Sequence, residues 1–391
     1  MGGGRATRLL HRWLIGAQVC GGTALLLVTA VFASHLLSLL RQERGFNTTN
    51  AAFAHVILSG PAYQAKEART AFIDGVLGNV RRLPGVEAAG YVSSMPLTGE
   101  SWIEGLRRPD RPEQPSSRIN LRWASPGYFE AMGHRLVAGR FFDERDRELK
   151  SVILSEGEAR VLWDAGQDPL GGVVRLQGGN FTVVGVVADS RTTSLKTPPA
   201  KLAWLHHAHR PSTSLFFMVR GSQPADELPA AIRQAIWSYA PGATIAVAKT
   251  LDAQVRESLS TERFEATVLA AFAAAAILLA MLGIHGVLSY AVAARRQEFG
   301  VRRALGATQR EIYAIAFREA AVPVLAGMAA GLGLYYAAGS AIGKLVALTK
   351  PVEPSAILLV IALFLCAALL AGWLPARRAA NSDPLEALRA D

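Results

Sequence analysis

Residues 13–40 read WLIGAQVCGGTALLLVTAVFASHLLSLL, 28 consecutive residues without a lysine, arginine, aspartate or glutamate. A bilayer core of about 30 Å needs roughly 20 helical residues, so this run is long enough to span it with some tilt. Three more uncharged runs follow, at about residues 266–294, 320–343 and 355–376. The composition agrees. Of 391 residues, 51% are hydrophobic and 18% charged, which excludes a disordered chain and points to a membrane protein. Arg5, Arg8 and Arg12 ahead of the first run would also suit a secretory signal. Its apolar stretch is about twice the usual signal length and no convincing cleavage site follows Ala33, so a retained anchor is expected. Cys20 and Cys366 both lie inside apolar runs, which leaves no disulfide framework.

The formal charge of +10 sits at the edges of the apolar runs, a pattern of membrane topology rather than of nucleic-acid binding, and no nucleic-acid partner is expected. The connection between the second and third runs carries Arg295, Arg296, Arg302, Arg303 and Arg310, and the tail carries Arg377, Arg378 and Arg389. The opposite short loop has only Lys344 and Lys350. Positive flanks stay inside, which places both termini and residues 295–311 in the cytoplasm and residues 41–263 outside. The expected order is a cytoplasmic terminus (1–12), a first membrane helix (13–40), an outer domain (41–263) and a three-span membrane domain (264–391).

The outer segment reads as folded. Ala65–Arg82 and Asp226–Tyr239 have helical patterns, closed by Leu83-Pro84-Gly85 and Pro241-Gly242. Strand-like runs occur at Ser151–Leu154, Val173–Leu176, Phe181–Val187, Leu215–Val219 and Thr244–Ala248. Gly178-Gly179-Asn180 suits a hairpin turn, and the proline-rich, charged stretch Arg107–Ser117 suits an exposed loop. The fold class expected is an α-helical membrane protein with four transmembrane helices plus a large α+β two-lobed domain between spans 1 and 2. One lobe would come from the two ends of the segment, the other from the residues between them.

Catalytic signatures do not stand out. The chain contains no G-x-x-x-x-G-K-[ST], H-E-x-x-H, G-x-S-x-G or C-x-x-C. His206, His207 and His209 lack an accompanying Cys or acid at metal spacing and read as a solvated loop, so no metal site is expected. Asp143, Glu144 and Asp146 alternate with Arg140, Arg145 and Arg147, which reads as a solvated, self-neutralised turn. His35 and His285 fall within spans, where a proton relay competes with a helix-facing hydrogen bond or an interfacial position. Gly327-Met328-Ala329-Ala330-Gly331 is a G-x-x-x-G that serves either packing within the chain or a dimer interface.

Residues 295–311, RRQEFGVRRALGATQRE, are the most informative. Glu298 and Arg302 have the favourable spacing and order for a helical ion pair. Gly306 falls where a left-handed cap would end that short helix, and Thr308 with Glu311 forms a capping box for the next. Such a helix on the cytoplasmic face can exchange force with a soluble partner. A positive loop that binds lipid head groups fits the spacing equally.

The run Arg296–Gly306 followed by Ala307-Thr308 resembles the signature after the second span of FtsX-like and MacB-like ABC-transporter permeases. The ending Pro375-Ala376-Arg377-Arg378-Ala379-Ala380 and Asp383-Pro384-Leu385-Glu386-Ala387-Leu388-Arg389 is similar to the same family's. Ser125-Pro126-Gly127-Tyr128-Phe129, Gly139-Arg140-Phe141-Phe142, Asp168-Pro169-Leu170-Gly171 and Val183-Val184-Gly185-Val186-Val187 with Asp189 resemble the MacB-type periplasmic core. The whole looks like one half of a duplicated orphan permease. The resemblance implies a noncatalytic subunit in the bacterial inner membrane, with residues 41–263 periplasmic. It implies coupling through Glu298, Gly300, Arg302, Arg303 and Gly306 to a separate ABC ATPase, since twelve residues precede the first span. ATP and Mg would sit on that ATPase and no cofactor in this chain. Further implied partners are a second copy or a second permease half, and a periplasmic protein. ATP-driven motion would then do mechanical work outside the membrane, in export or release of a substrate. The competing expectation is a membrane-anchored sensor or scaffold without an ATPase.

Overall fold

The computed structural model describes residues 3–95, 97–99, 102–294, 302, 308–342 and 354–380. The chain divides into two compact units, Met1–Leu40 with Thr261–Asp391, and Arg41–Ser260.

The first unit contains four long helices: α1 Gly3–Arg41, α7 Ser260–Ala294, α8 Gln309–Ile342 and α9 Pro354–Ala380. Their shared core holds Ile15, Val19 and Leu27 of α1, Ala280, Ile284 and Leu288 of α7, Val324 and Met328 of α8, and Val360 and Phe364 of α9. Phe364 is fully buried, in a space that Gly22 leaves open: a Cβ there would lie 2.8 Å from its ring. Outward-facing residues are also apolar, among them Phe272, Leu282, Leu325, Leu358 and Leu369. An apolar core beneath an apolar exterior suits lipid as the surrounding solvent. Among the described residues, three helices are long and apolar enough to cross a membrane, in the stretches Arg12–Arg41, Ser260–Tyr290 and Ala321–Ala338. The expected fourth span falls in α9, whose apolar stretch Ile357–Trp373 is shorter. At about 1.5 Å per residue it reaches roughly 26 Å, just under a typical hydrocarbon core.

The second unit is α/β. Its strands are β1 Ala51–Ile57, β2 Val86–Val92, β3 Trp102–Leu106, β4 Ser117–Ala124, β5 Leu136–Gly139, β6 Ser151–Ser155, β7 Val173–Leu176, β8 Gly179–Val187, β9 Leu202–His206, β10 Ser214–Gly221 and β11 Thr244–Thr250. The sheet order is β11-β1-β10-β2-β4-β9-β6-β8-β5, with β3 beside β4 and β7 beside β8. Helices α2 Lys66–Val80 and α5 Leu228–Tyr239 belong with β1, β2, β10 and β11. These form a β-α-β-β-α-β arrangement with its middle connection opened by an insertion. Phe72, Ile73, Val76, Ile232 and Ile236 of the two helices pack on Ala54, Val56, Tyr91, Phe217 and Val219. The inserted residues build a second core from Ile119, Leu121, Val152, Leu154, Phe181, Val183, Ala203 and Leu205, with Ala159 and Leu162 of α4 Glu156–Leu162.

The two lobes therefore arise as expected, one from the ends and one from the middle. A single strand pair, Val92 with Ala124, carries the sheet from one to the other. Just after it, Gly127 takes a left-handed conformation (φ 86°) at the start of α3 Tyr128–Met132, within the Ser125–Phe129 motif. A Cβ at Gly127 would lie 2.4 Å from the Ala89 carbonyl oxygen, so both backbone conformation and space require glycine. The β7–β8 hairpin forms, but its turn comes earlier than expected. Leu176 already pairs with Gly179 and Arg175 with Asn180, leaving Gln177-Gly178 as the two-residue loop. Of the expected loop Arg107–Ser117, residues 107–116 connect β3 to β4 while Ser117 is buried as the first residue of β4; the connection is held at its surface by Arg108–Asp110 and by Arg111–Asp164 at 2.7 Å.

Candidate functional site

Of the residues expected to couple to a partner, Arg302 is helical and exposed. Glu298, Gly300, Arg303 and Gly306 lie outside the described residues. The start of α8 is visible, however. The Thr308 amide donates to the Glu311 carboxylate at 2.8 Å, the half of a capping box in which the acid reaches back to the cap residue. Helix α8 thus begins at a defined cap, with exposed Arg318 farther along it.

The G-x-x-x-G of α8 is used inside the chain. A Cβ on Gly327 would lie 2.6 Å from the Gly16 carbonyl oxygen, and one on Gly331 2.5 Å from that of Cys20. Backbone meets backbone here, which only small residues permit. His285 Nδ1 lies 3.2 Å from the Ala371 carbonyl and ties α7 to α9, the helix-facing hydrogen bond of the readings open for it. His35 is exposed on α1.

In the second unit, a polar joint connects the lobes, and the sequence reading missed it. Asp74 projects from α2 of the first lobe. One carboxylate oxygen accepts from Arg147 of the inserted lobe at 2.7 Å, and the other lies 3.1 Å from Nε2 of His207, just after β9. Burial pushes the Asp74 carboxyl up, but the bonds to His207 and Arg147 outweigh it and leave the group below its ordinary range. His206 and His207 are 0% and 1% exposed, so the expectation of a solvated histidine loop is overturned. Strand β9 ends at His206 and His207 follows directly, with their ring centroids 4.5 Å apart. Burial, with the charges of its neighbours, pulls His206 down to about 3, so it stays neutral near physiological pH.

The acidic turn is self-neutralised as expected, yet only partly solvated. Asp143 and Arg145 face water, whereas Asp146 is wholly buried against Arg140. The available signal was Asp74 itself, a lone acid in Phe72-Ile73-Asp74-Gly75-Val76. An acid set among core residues needs a buried partner.

The joint offers no exposed nucleophile and, among the described residues, no group of three or more His, Cys, Asp or Glu could hold a metal. One carboxylate, that of Asp74, holds the two lobes together through Arg147 and His207.

The profile of the MacB-like periplasmic core domain matches residues 19–260, and that of the FtsX-like permease C-terminal domain matches residues 270–384. Among relatives, a probable syringafactin export ATP-binding/permease protein of Pseudomonas syringae pv. tomato is 28% identical over 76% of this chain and 45% of its own length. A macrolide export ATP-binding/permease protein MacB of Burkholderia lata is 25% identical over 68% of this chain and 40% of its own. The chain thus spans about half the length of these relatives or less. The periplasmic region of MacB from Actinobacillus actinomycetemcomitans aligns at 16% identity and a TM-score of 0.39, covering 57% of this chain and 98% of that region. With one profile covering most of the chain and the second following it in order, the protein belongs to the MacB-like, FtsX-like family of ABC transporter permeases.

Proposed function

We propose that this chain is the membrane subunit of an ABC exporter that turns ATP hydrolysis on a nucleotide-binding partner into movement of its periplasmic domain. The observation that carries the reading is connectivity. The lobe built from β1, β2, β10 and β11 receives the chain from α1 and returns it to α7 through α6 Leu251–Ser258. Force delivered along either helix therefore enters the same lobe, and the Asp74 joint passes it to the inserted lobe. The printed names of the relatives pair an ATP-binding function with a permease, which supports an ATPase partner.

In this reading both termini and residues 295–311 are cytoplasmic, residues 41–263 are periplasmic, and α9 is a fourth span. Glu298, Gly300, Arg302, Arg303 and Gly306 form the docking contact, with a second permease copy or half completing the transporter. None of these residues is catalytic. A mild-detergent pull-down of the tagged chain from its host, beside the Arg302→Glu/Arg303→Glu variant, tests it. A P-loop ATPase that accompanies the unaltered chain and is lost from the variant is the expected result. Absence of any ATPase, even after crosslinking, would favour a passive anchor or sensor.

A further inference from the structure

Where α1 meets α8, the membrane unit carries a groove of about 530 Å³. Its lining sets Gly16 and the buried Pro323 and Gly327 between Trp13 and Val322, which are 73% and 63% exposed. A low floor thus lies between two projecting apolar side chains. The groove occupies residues 12–20 of α1 and 322–330 of α8, a length of about 12 Å. Half of a typical hydrocarbon core, the depth of one leaflet, is about 15 Å.

Charge gathers at one end. Arg12 is the one charged residue of the lining, and it is exposed. The close contacts pair Gly327 with Gly16 and Gly331 with Cys20, so the two helices run parallel there. In that register Arg12 is level with Pro323, and the exposed Arg318 lies five residues nearer the helix starts, about 7–8 Å along the axis. That is about the thickness of one headgroup layer. The sequence of the two helix starts, residues 5–12 and 309–319, holds five arginines against Glu311 and Glu319.

A gap in a lipid-facing surface forfeits contacts unless an apolar group fills it. We propose that this groove binds an anionic phospholipid from the leaflet at the amino-terminal end of α1. One acyl chain lies along Gly16, Ala17 and Ala326, and the phosphate sits between Arg12 and Arg318. Guanidinium and phosphate are matched in charge and geometry, and basic pockets between membrane helices suit anionic head groups. Trp13 stands at the boundary of the two regions, where indole rings are favoured. A second copy docked by two-fold symmetry would instead set these arginines against their own counterparts, like charge against like. The leaflet is the cytoplasmic one in the orientation proposed above, and the site rests on that reading only for its side of the membrane.

The full chain in phosphatidylcholine vesicles containing dibrominated phosphatidylglycerol or dibrominated phosphatidylcholine tests this, because bromine quenches tryptophan on contact. The part of the fluorescence that Trp13→Phe removes reports the groove. Its quenching is expected to reach half its limit at an about fivefold to tenfold lower mole fraction of the anionic lipid. Arg12→Gln/Arg318→Gln, which removes the charge, and Ala17→Leu/Ala326→Leu, which fills the groove, are each expected to bring the two curves together. All four positions are exposed, so the fold should survive both changes. Equal curves for the two lipids in the unaltered chain, the result if a second copy covers the groove, would overturn the assignment. So would a preference retained in either variant. No ATPase enters the measurement, which keeps its outcome separate from that of the pull-down.

Discussion

Arg140 holds Asp146 with both arms of its guanidinium, at 2.6 and 3.0 Å, and the Asp146 carboxylate is wholly buried. Burial alone would raise that carboxyl, but the bonds from Arg140 and Ser151 prevail and leave it below its ordinary range. Its contribution to stability is therefore present above the unfolded value and lost as pH falls. Arg140→Leu strands the carboxylate. Because the Arg140 side chain is 35% exposed and water reaches it, the expected loss is about 2 kcal/mol rather than the larger figure for a fully buried pair. A thermal melt of the full chain near neutral pH measures it. An unchanged midpoint would mean that the pair contributes little.

Glu158 carries the opposite pH signature. One oxygen accepts from Ser117 at 2.8 Å, the other has no partner, and burial pushes the carboxyl up to about 7. The folded chain keeps a proton that the unfolded chain releases near pH 4.5. The stability it contributes is full below that value, declines as pH rises to about 7, and is then level. Glu158→Gln mimics the protonated form. It is expected to match the parent below about pH 4.5 and to exceed it by roughly 2–3 kcal/mol above pH 7. Coincident denaturation curves at pH 8 for the two proteins would contradict this.

Gly331→Val drives a branched side chain toward the Cys20 carbonyl, 2.5 Å from where even a Cβ would sit. Helices α1 and α8 must then separate, at a cost of about 1–3 kcal/mol. A thermal melt of the full chain in detergent reads it: the midpoint should fall sharply with Gly331→Val and less with Gly331→Ala.

Gly306→Val addresses coupling. If Gly306 ends a helix in the left-handed region, a β-branched residue strains that cap. ATP hydrolysis by the copurified partner should persist while ATP-driven change in periplasmic-domain fluorescence is lost, with expression unaltered. Full ATP-driven motion in this variant would remove Gly306 from the coupling contact.

Much of the architecture was legible because its signals are local. Val173–Leu176 and Leu215–Val219 have the apolar, β-branched character of strands, and Ala65–Arg82 ends at a Pro-Gly break. Strand β1, AAFAHVI, escaped because alanine has little strand preference, although five of its seven residues are buried. Strand β4 escaped for a different reason. Asn120 and Arg122 look like surface residues, and only the long-range pairing with β9 buries them. The lobe joint was illegible for the same cause. Asp74, Arg147 and His207 are brought together by topology across more than a hundred residues, which no local spacing encodes.

The opened β-α-β-β-α-β lobe also sets a schedule for assembly. Strand β1 finds its partner β10 only after the inserted lobe has been made, since Ile57 pairs with Ser214. At synthesis rates of about 5–20 residues per second, that interval of about 160 residues lasts roughly 10–30 s. During it Phe53, Val56 and the apolar face of α2 have no sheet to close against. The inserted lobe, whose strands pair among themselves, can be complete before the lobe that carries it. A nascent chain thus matures from the middle outward, and its window of vulnerability to aggregation or proteolysis closes only when β10 arrives.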